Sequence, residues 1–154
     1  MYRHIMVPLD GSELAECVLP HLNTVAGLLK GDKKISLVRV VPPLRLYEGI
    51  EASLPLEERK RIEADGIRDA KEYLKEVSGR LRLPNATIET EVLFGRVLDE
   101  LNKFARDNGV DLVIIATHGR SGVSRWVIGS TADHLIRSAN IPVLVIRPQA
   151  CAQP

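Results

Sequence analysis

Short apolar runs alternate with longer amphipathic stretches along the whole chain. The short runs, rich in Val, Ile and Leu, predict five β-strands at residues 4–9, 35–41, 87–94, 112–116 and 142–146. In the longer stretches apolar residues recur every three or four positions, which predicts helices at about residues 12–29, 57–81, 97–107 and 130–139. This alternation of strands and helices favours an α/β fold, a doubly wound parallel sheet with helices on both faces.

Several residues predict how these elements begin, bend and lie in the sheet. Ser12 is expected to cap the first helix, and Pro20 should kink that helix because its ring removes a hydrogen bond and clashes with the preceding turn. Residues 87–94 alternate apolar and polar positions, which places the third strand near a sheet edge. Three prolines between residues 42 and 55 indicate a long loop. The apolar stripes of the helices are predicted to include Leu14, Leu28, Ile62 and Ile136.

Composition and charge narrow the function classes. The chain has 154 residues, of which 45% are hydrophobic and 27% charged, and it has no apolar run near the roughly 20 residues that span a bilayer. With 21 basic and 20 acidic residues, it lacks the basic excess of a nucleic-acid-binding surface. The amino end leads directly into the first strand and leaves no room for a signal peptide. We therefore expect a cytoplasmic protein that binds neither membranes nor nucleic acid.

Length and cysteine usage predict one domain without a metal site. Residues 1–148 are long enough to bury a core of their own, and residues 149–154 form a polar tail. The two cysteines, Cys17 and Cys151, have neither metal-ligand nor CxxC spacing. We interpret Cys17 as core packing within the first helix and Cys151 as an exposed thiol.

The stretch from Asp111 to Thr131 predicts a phosphate-binding site. An apolar strand ends at Ala116 and is followed by Thr117, His118 and Gly119, and then Gly129, Ser130 and Thr131 open a helix. Glycines let main-chain N–H groups approach an anion closely, and the start of a helix adds partial positive charge. In doubly wound sheets ligands lie beyond the carboxyl ends of the strands. The loop from Pro8 through Asp10 to Ser12 is therefore expected to face this cradle.

Other interpretations of these residues remain open. Asp10 is alternatively a capping carboxylate of the first helix, and Val40 is most simply a core residue. Arg120 and Arg125 lie between the two glycine positions, where each either pairs with outer phosphates or is a solvated charge. His118 and His134 are better interpreted as hydrogen-bonded structural residues than as bases or ligands.

The motifs resemble those of the universal stress protein family. The similar segments are Val7-Pro8-Leu9-Asp10-Gly11-Ser12, Ala116-Thr117-His118-Gly119, nine residues and then Gly129-Ser130-Thr131, and the closing Asn140–Ile146. The resemblance covers essentially the whole chain. It implies a Rossmann-like fold with strand order 3-2-1-4-5 and adenine nucleotide alpha hydrolase-like topology. It also implies an adenine nucleotide site, usually occupied by ATP, and a homodimer formed through the last strand, Val143–Ile146.

The resemblance assigns roles to individual residues. In the nucleotide-binding subgroup the motif is glycine, two residues, glycine, nine residues, glycine, then serine or threonine, and here Ala116 stands at the first position. Asp10 would contact the nucleoside and Val40 would pack against adenine. The ligand would be ATP, ADP or AMP, with or without Mg²⁺. The nucleotide-binding set is Pro8, Leu9, Asp10, Val40, Ala116, His118, Gly119, Arg120, Gly129, Ser130 and Thr131.

Two functions fit these expectations. The first is a universal stress protein-like ATP-binding protein that acts in stress response or signalling and hydrolyses ATP slowly at most. The alternative is a dimeric interaction module whose site is empty or occupied by AMP, because a strand as apolar as residues 143–146 invites pairing at a sheet edge. No catalytic or metal-binding residue is assigned.

Four enzyme classes are disfavoured by the motifs. No Walker A motif and no GxGxxG follow a strand, which argues against P-loop ATPases and dinucleotide oxidoreductases. Pro8 stands where an aspartate-nucleophile phosphatase carries its nucleophile. The segment from Gly119 to Val123 lacks the second glycine of the GxSxG motif of serine hydrolases.

Overall fold

Five parallel strands form one sheet in the computed structural model of the protein, which describes residues 2–44, 54–117 and 130–147. The strands are β1 (His4–Pro8), β2 (Lys33–Val41), β3 (Ala86–Phe94), β4 (Leu112–Ala116) and β5 (Val143–Ile146). Their order in the sheet is β3-β2-β1-β4-β5. The predicted fold class and strand order are confirmed, and the partly polar β3 lies at an edge as expected.

Five helices connect the strands in the described residues. They are α1 (Glu13–Glu16), α2 (Val18–Leu28), α3 (Leu56–Arg80), α4 (Val97–Asp107) and α5 (Ser130–Ser138). Within the same ranges, no helix is long and apolar enough to cross a membrane. Of the predicted long loop, residues 42–44 have no regular structure, and residues 45–53 lie outside the described residues.

Helices cover both faces of the sheet, which explains why the inner strands are apolar at consecutive positions. On one side, the α3 face, Leu37 packs with Leu22 of α2 and Leu74 of α3. On the other side, the α5 face, Val38 packs in a cluster that includes Leu135 of α5. Adjacent residues of β2 therefore belong to different cores.

The first predicted helix is divided in two at Cys17. Pro20 has no N–H to donate to the carbonyl of Glu16, four residues earlier, and its ring crowds that carbonyl. The structure accordingly ends α1 at Glu16 and begins α2 at Val18. The predicted kink is confirmed, whereas the single continuous helix is wrong. Cys17 lies at the break and is buried in the α3-face core, as its predicted packing role requires.

Four apolar residues predicted on buried stripes are exposed instead. Leu14, Leu28, Ile62 and Ile136 each keep more than a third of their surface accessible. Ile136 directly follows the fully buried Leu135, so it lies about 100° further around the same helix and turns away from the sheet. The buried stripes are narrower than the apolar pattern indicates.

Replacing Leu74 by Ala tests the α3-face core. Leu74 is fully buried, so the change removes buried methyl groups, leaves a cavity and should lower the free energy of unfolding by about 3 kcal/mol. Leu28→Ala is the matched control: this leucine is 78% exposed, and its loss should change the free energy by less than about 0.5 kcal/mol. Urea denaturation measures both values, and equal losses would contradict the assigned core.

Candidate functional site

The central strand of the sheet, β1, is shorter at its carboxyl end than the neighbouring strand β2. β1 pairs with β2 along its whole length, ending with Pro8 opposite Val38. The last main-chain bond between the two segments runs from the Leu9 N–H to the Val38 carbonyl, at 2.8 Å. β2 continues to Val41, past the level at which the chain turns out of β1. Since neighbouring strands lie about 4.8 Å apart, the end of β1 leaves a gap about two strand spacings wide between β2 and β4. We call this space the strand gap.

Pro8 explains why the sheet also opens toward β4. The register between β1 and β4 stops where Met6 lies opposite Val113. Main-chain groups along a strand point alternately to its two sides, and because the Leu9 N–H points to β2, the main chain of Pro8 faces β4. Proline has no N–H to donate there. β4 nevertheless runs on to Ala116, which forms the far wall of the strand gap.

The main chain of Val40 forms the near wall. Val38 accepts a bond from the β1 side, and Val41 accepts one from Gly95 on the β3 side, so both the N–H and the C=O of Val40 point toward the β1 side. β1 has ended at that level, and no hydrogen bond joins Val40 to Leu9 or to the turn after it. The side chain of Val40 packs in the α5-face core. Val40 therefore presents a main-chain donor and acceptor side by side to the gap.

Asp10 stands at the end of β1, in a turn that it stabilises itself. Its Oδ1 accepts hydrogen bonds from the Ser12 N–H at 2.9 Å and from the Ser12 hydroxyl at 2.6 Å. The Ser12 Oγ in turn accepts from the Ala15 N–H at 3.1 Å and caps α1. The predicted cap is confirmed, and the alternative of Asp10 as the capping residue is wrong, because Ser12 is the N-cap residue of α1. Gly11 between them has φ +84°, a conformation that favours glycine.

A guanidinium lies behind this turn, on the α3 face. The Arg39 Nη1, Cζ and Nη2 atoms lie 2.9 to 3.0 Å from the point where a Cβ on Gly11 would sit. The Arg39 Cζ also lies over the Tyr73 ring of α3, 5.1 Å from its centre. The sequence patterns predict no role at the site for Arg39 or Tyr73, although the charge of Arg39 interrupts an otherwise apolar stretch of β2 and is a local signal.

Tyr73 is held neutral among charged neighbours. Burial, followed by the negative charges of Glu16 and Asp10, raises the pKa of its hydroxyl far above the usual value, and Arg39 opposes part of that shift. The Tyr73 Oη lies near Glu16 but is hydrogen-bonded to no described residue. Glu16 instead pairs with Arg80 at 2.7 Å, which joins α1 to α3. The turn after β1 is thus backed by a cation on an aromatic ring.

The remaining predicted site residues divide into three groups. Pro8 and Leu9 are buried, and the Leu9 side chain lies in the α3-face core, so only their main chains can face a ligand. Ser130 and the half-buried Thr131 begin α5, which connects parallel strands and therefore starts at the edge of the sheet where β4 ends. His118, Gly119, Arg120, Arg125 and Gly129 lie outside the described residues.

The edge of the sheet thus combines several features suited to an anionic, planar ligand. One wall offers the main chain of Val40, the floor carries the carboxylate of Asp10, and the opposite side offers the first N–H groups of α5 with their partial positive charge. Among residues 2–44, 54–117 and 130–147, no cluster of three His, Cys, Asp or Glu side chains could hold a metal ion.

Known proteins resemble this chain over nearly its full length. The model of the universal stress protein family matches residues 1–147. Universal stress protein G of Shigella flexneri is 33% identical over 153 residues, which cover 96% of this chain and all of that protein. The solved structure of protein MJ0577, a universal stress protein of Methanocaldococcus jannaschii, superposes with a TM-score of 0.80 at 26% identity and 96% coverage of both chains.

Two solved structures with the same fold contain adenine nucleotides. A universal stress protein family member of Arabidopsis thaliana with AMP bound matches with a TM-score of 0.63 at 15% identity, covering 99% of this chain and 95% of its own. A universal stress protein in complex with cAMP matches with a TM-score of 0.59 at 18% identity, covering 96% and 98%. At these identities the likeness establishes the fold that the chains share.

Replacing Gly11 by Ala tests the close contact behind the turn. Gly31 is the matched control because its φ of +81° is nearly the same, yet no atom of the described residues beyond its chain neighbours lies within 4 Å of the place where a Cβ would sit. Gly31→Ala should cost about 1 kcal/mol of unfolding free energy from backbone strain alone. Gly11→Ala should cost about 2 kcal/mol because the new methyl group also displaces Arg39 from Tyr73. Equal losses in chemical denaturation would contradict a tight contact between Arg39 and the turn.

Proposed function

The chain belongs to the universal stress protein family, and we propose that it binds an adenine nucleotide, ATP in particular, in the strand gap as part of a stress-response or signalling role. The observation that carries this proposal is the main-chain donor and acceptor of Val40, which face the gap beside Asp10 and have no partner on that side among the described residues. The AMP and cAMP complexes of proteins with the same fold support the choice of adenine.

The base would be recognised by the main chain of Val40. Adenine carries the N1 acceptor and the N6 donor side by side, which complements one N–H and one C=O of a strand. Guanine presents its acceptor and donor in the reverse order on this edge. A guanine would have to turn over to satisfy the same groups, and its ribose would then point away from Asp10. This difference predicts a preference for adenine without any base-specific side chain.

The ribose and phosphates would lie across the rest of the gap. A carboxylate such as Asp10 accepts hydrogen bonds from ribose hydroxyls, as charged acceptors do strongly. The phosphates would meet the main chain around Ala116, His118, Gly119 and Gly129 and the start of α5 at Ser130 and Thr131. Arg120 would pair with the outer phosphates. Mg²⁺, where present, would be held by phosphate oxygens and water, since it needs few protein ligands.

We assign no efficient catalysis to this arrangement. The described residues at the edge of the gap include one carboxylate, Asp10, and its Oδ1 already accepts two hydrogen bonds from Ser12. A general base must reach the attacking water, and no second acidic side chain of the described segments has been placed here. ATP hydrolysis would therefore be slow.

A second candidate function is a dimeric interaction module. β5 is the last strand of the sheet, and residues Val143 to Val145 are only partly buried. The free edge of such an apolar strand pairs readily with another strand, and a second copy of the chain would cover it. Residues 1–148 would then act as one domain of a homodimer, whether or not nucleotide is bound.

Analysis of copurifying nucleotide tests the main proposal. The protein purified without added ligand should release ATP, ADP or AMP on denaturation, detected by mass spectrometry. In calorimetric titrations of the stripped protein, ATP should bind at least about tenfold more tightly than GTP, because the reversed guanine edge loses about one good hydrogen bond. Absence of bound nucleotide together with no titratable binding would favour the interaction module, whose dimer mass light scattering would detect.

Asp10→Asn tests the role of the carboxylate. Asparagine keeps an Oδ1 acceptor for Ser12 and removes the charge, so the turn should persist while the affinity for adenosine falls about tenfold, as expected for a hydrogen bond to a charged group. Asp107→Asn is the matched control, since Asp107 is exposed at the end of α4, at the edge of the sheet where β4 begins and opposite to the gap. Unchanged adenosine affinity in Asp10→Asn would remove Asp10 from the site.

A further inference from the structure

Arg39 is a charged residue in the interior of an otherwise apolar sheet segment. It lies on β2 between Val38 and Val40 and is only partly exposed. Partial burial of a guanidinium has a cost in solvation, which an ion pair usually offsets. Among the described residues Arg39 forms no ion pair within 4.0 Å. The position of Arg39 therefore points to a role other than ion pairing with a described residue.

The contacts of Arg39 lead to the turn after β1. The three atoms nearest to a Cβ built on Gly11 all belong to the Arg39 guanidinium. That guanidinium rests on the Tyr73 ring, and Tyr73 belongs to the 25-residue α3, whose residues Leu74 and Val77 are fully buried. The helix α3 thus holds the Tyr73 ring in place, and the ring holds the Arg39 guanidinium against the turn at Gly11.

We propose that Arg39 is a positioning residue that, held on the Tyr73 ring, fixes the turn at Gly11 and thereby aims the carboxylate of Asp10 into the strand gap. Gly11 has no side chain that could anchor the turn. Its φ is positive in the structure, but a glycine can adopt many other backbone conformations when no neighbour holds it in place. Ordering such a turn on binding lowers affinity, whereas a turn ordered beforehand does not. This inference rests on the proposed nucleotide site.

Arg39 acts from the side of the turn opposite to the ligand. Side chains alternate along β2, so the Arg39 side chain lies on the α3 face together with Leu37, while the main chain of Val40 faces the gap. A guanidinium in that place contacts the back of the turn. It should therefore affect every ligand that uses Asp10 and should not distinguish ligands by their phosphates.

The test compares adenosine with ATP in three variants. Arg39→Met removes the charge and keeps much of the length, Tyr73→Leu removes the ring under it, and Arg39→Lys keeps the charge without the planar group. Arg106→Met is the matched control, because Arg106 is an exposed arginine of α4 that pairs only with its neighbour Asp107 in the described structure. Thermal denaturation shows that each variant is folded at the temperature of the titration.

The expected result is an equal loss for both ligands. Arg39→Met and Tyr73→Leu should each raise the dissociation constants of adenosine and ATP about tenfold, the order of magnitude of a partly buried cation–π contact. Arg39→Lys should recover part of this loss, and Arg106→Met should bind like the unaltered protein. Unchanged affinity in Arg39→Met would overturn the inference. A loss for ATP alone would overturn it too, because Arg39 would then be contacting phosphate directly.

A measurement without ligand separates this inference from the proposed function. The Ser12 N–H is bonded to Asp10 inside the turn, so its hydrogen-exchange rate reports how well the turn is ordered. Arg39→Met should accelerate that exchange about tenfold and leave the amide of Val113 in β4 unchanged. If the unaltered protein binds no nucleotide, the proposed function fails and this measurement still decides the role of Arg39. Equal exchange of the Ser12 N–H in both proteins would refute that role.

Discussion

A missing N–H on Pro8 governs where the sheet opens. In a parallel sheet every inner strand has donors and acceptors on both sides, and a proline at the end of the central strand cannot complete the ladder toward β4. On the other side β2 continues past the end of β1, so Val40 has no paired residue on its β1 side. The strand gap follows from these two facts together. It lies where the connections of β1 and β4 leave toward opposite faces, the place where doubly wound folds bind ligands.

At the candidate site most side chains pack into the cores, whereas the main chain lines the strand gap. Leu9 and Val40 place their side chains in the two cores, so their identities are set by packing, while their main chains line or border the gap. Asp10 is the described residue whose side chain we propose to contact the ligand. Its geometry depends on Ser12 in front and on the stack of Arg39 over Tyr73 behind. A site of this kind is recognised mainly by backbone geometry.

That division explains what the sequence predicts and what it leaves hidden. Strand and helix types follow from hydrophobic periodicity, the helix break at Cys17 follows from Pro20, and Ser12 is a recognisable cap. The strand order came from the family resemblance, because periodicity does not specify which strands pair. The exposure of Leu14 and Ile136 depends on how each helix rolls against the sheet, which a stripe of apolar residues leaves uncertain. The contact of Arg39 with Gly11 joins distant segments and has no local signal beyond one charge in an apolar run.

The uneven pairing of the strands has a mechanical consequence. β2 and β3 share nine register pairs, whereas β1 and β4 share two, so main-chain pairing is sparsest in the middle of the sheet, between β1 and β4. A ligand bound in the strand gap would contact both β2 and β4 and so connect the two halves of the sheet. Its binding would then raise the free energy of unfolding. At concentrations above the dissociation constant, this gain grows with the logarithm of the ratio of the ligand concentration to the dissociation constant. Ligand occupancy and the free energy of unfolding would therefore increase together. The stability of the protein would then report the concentration of ligand around it.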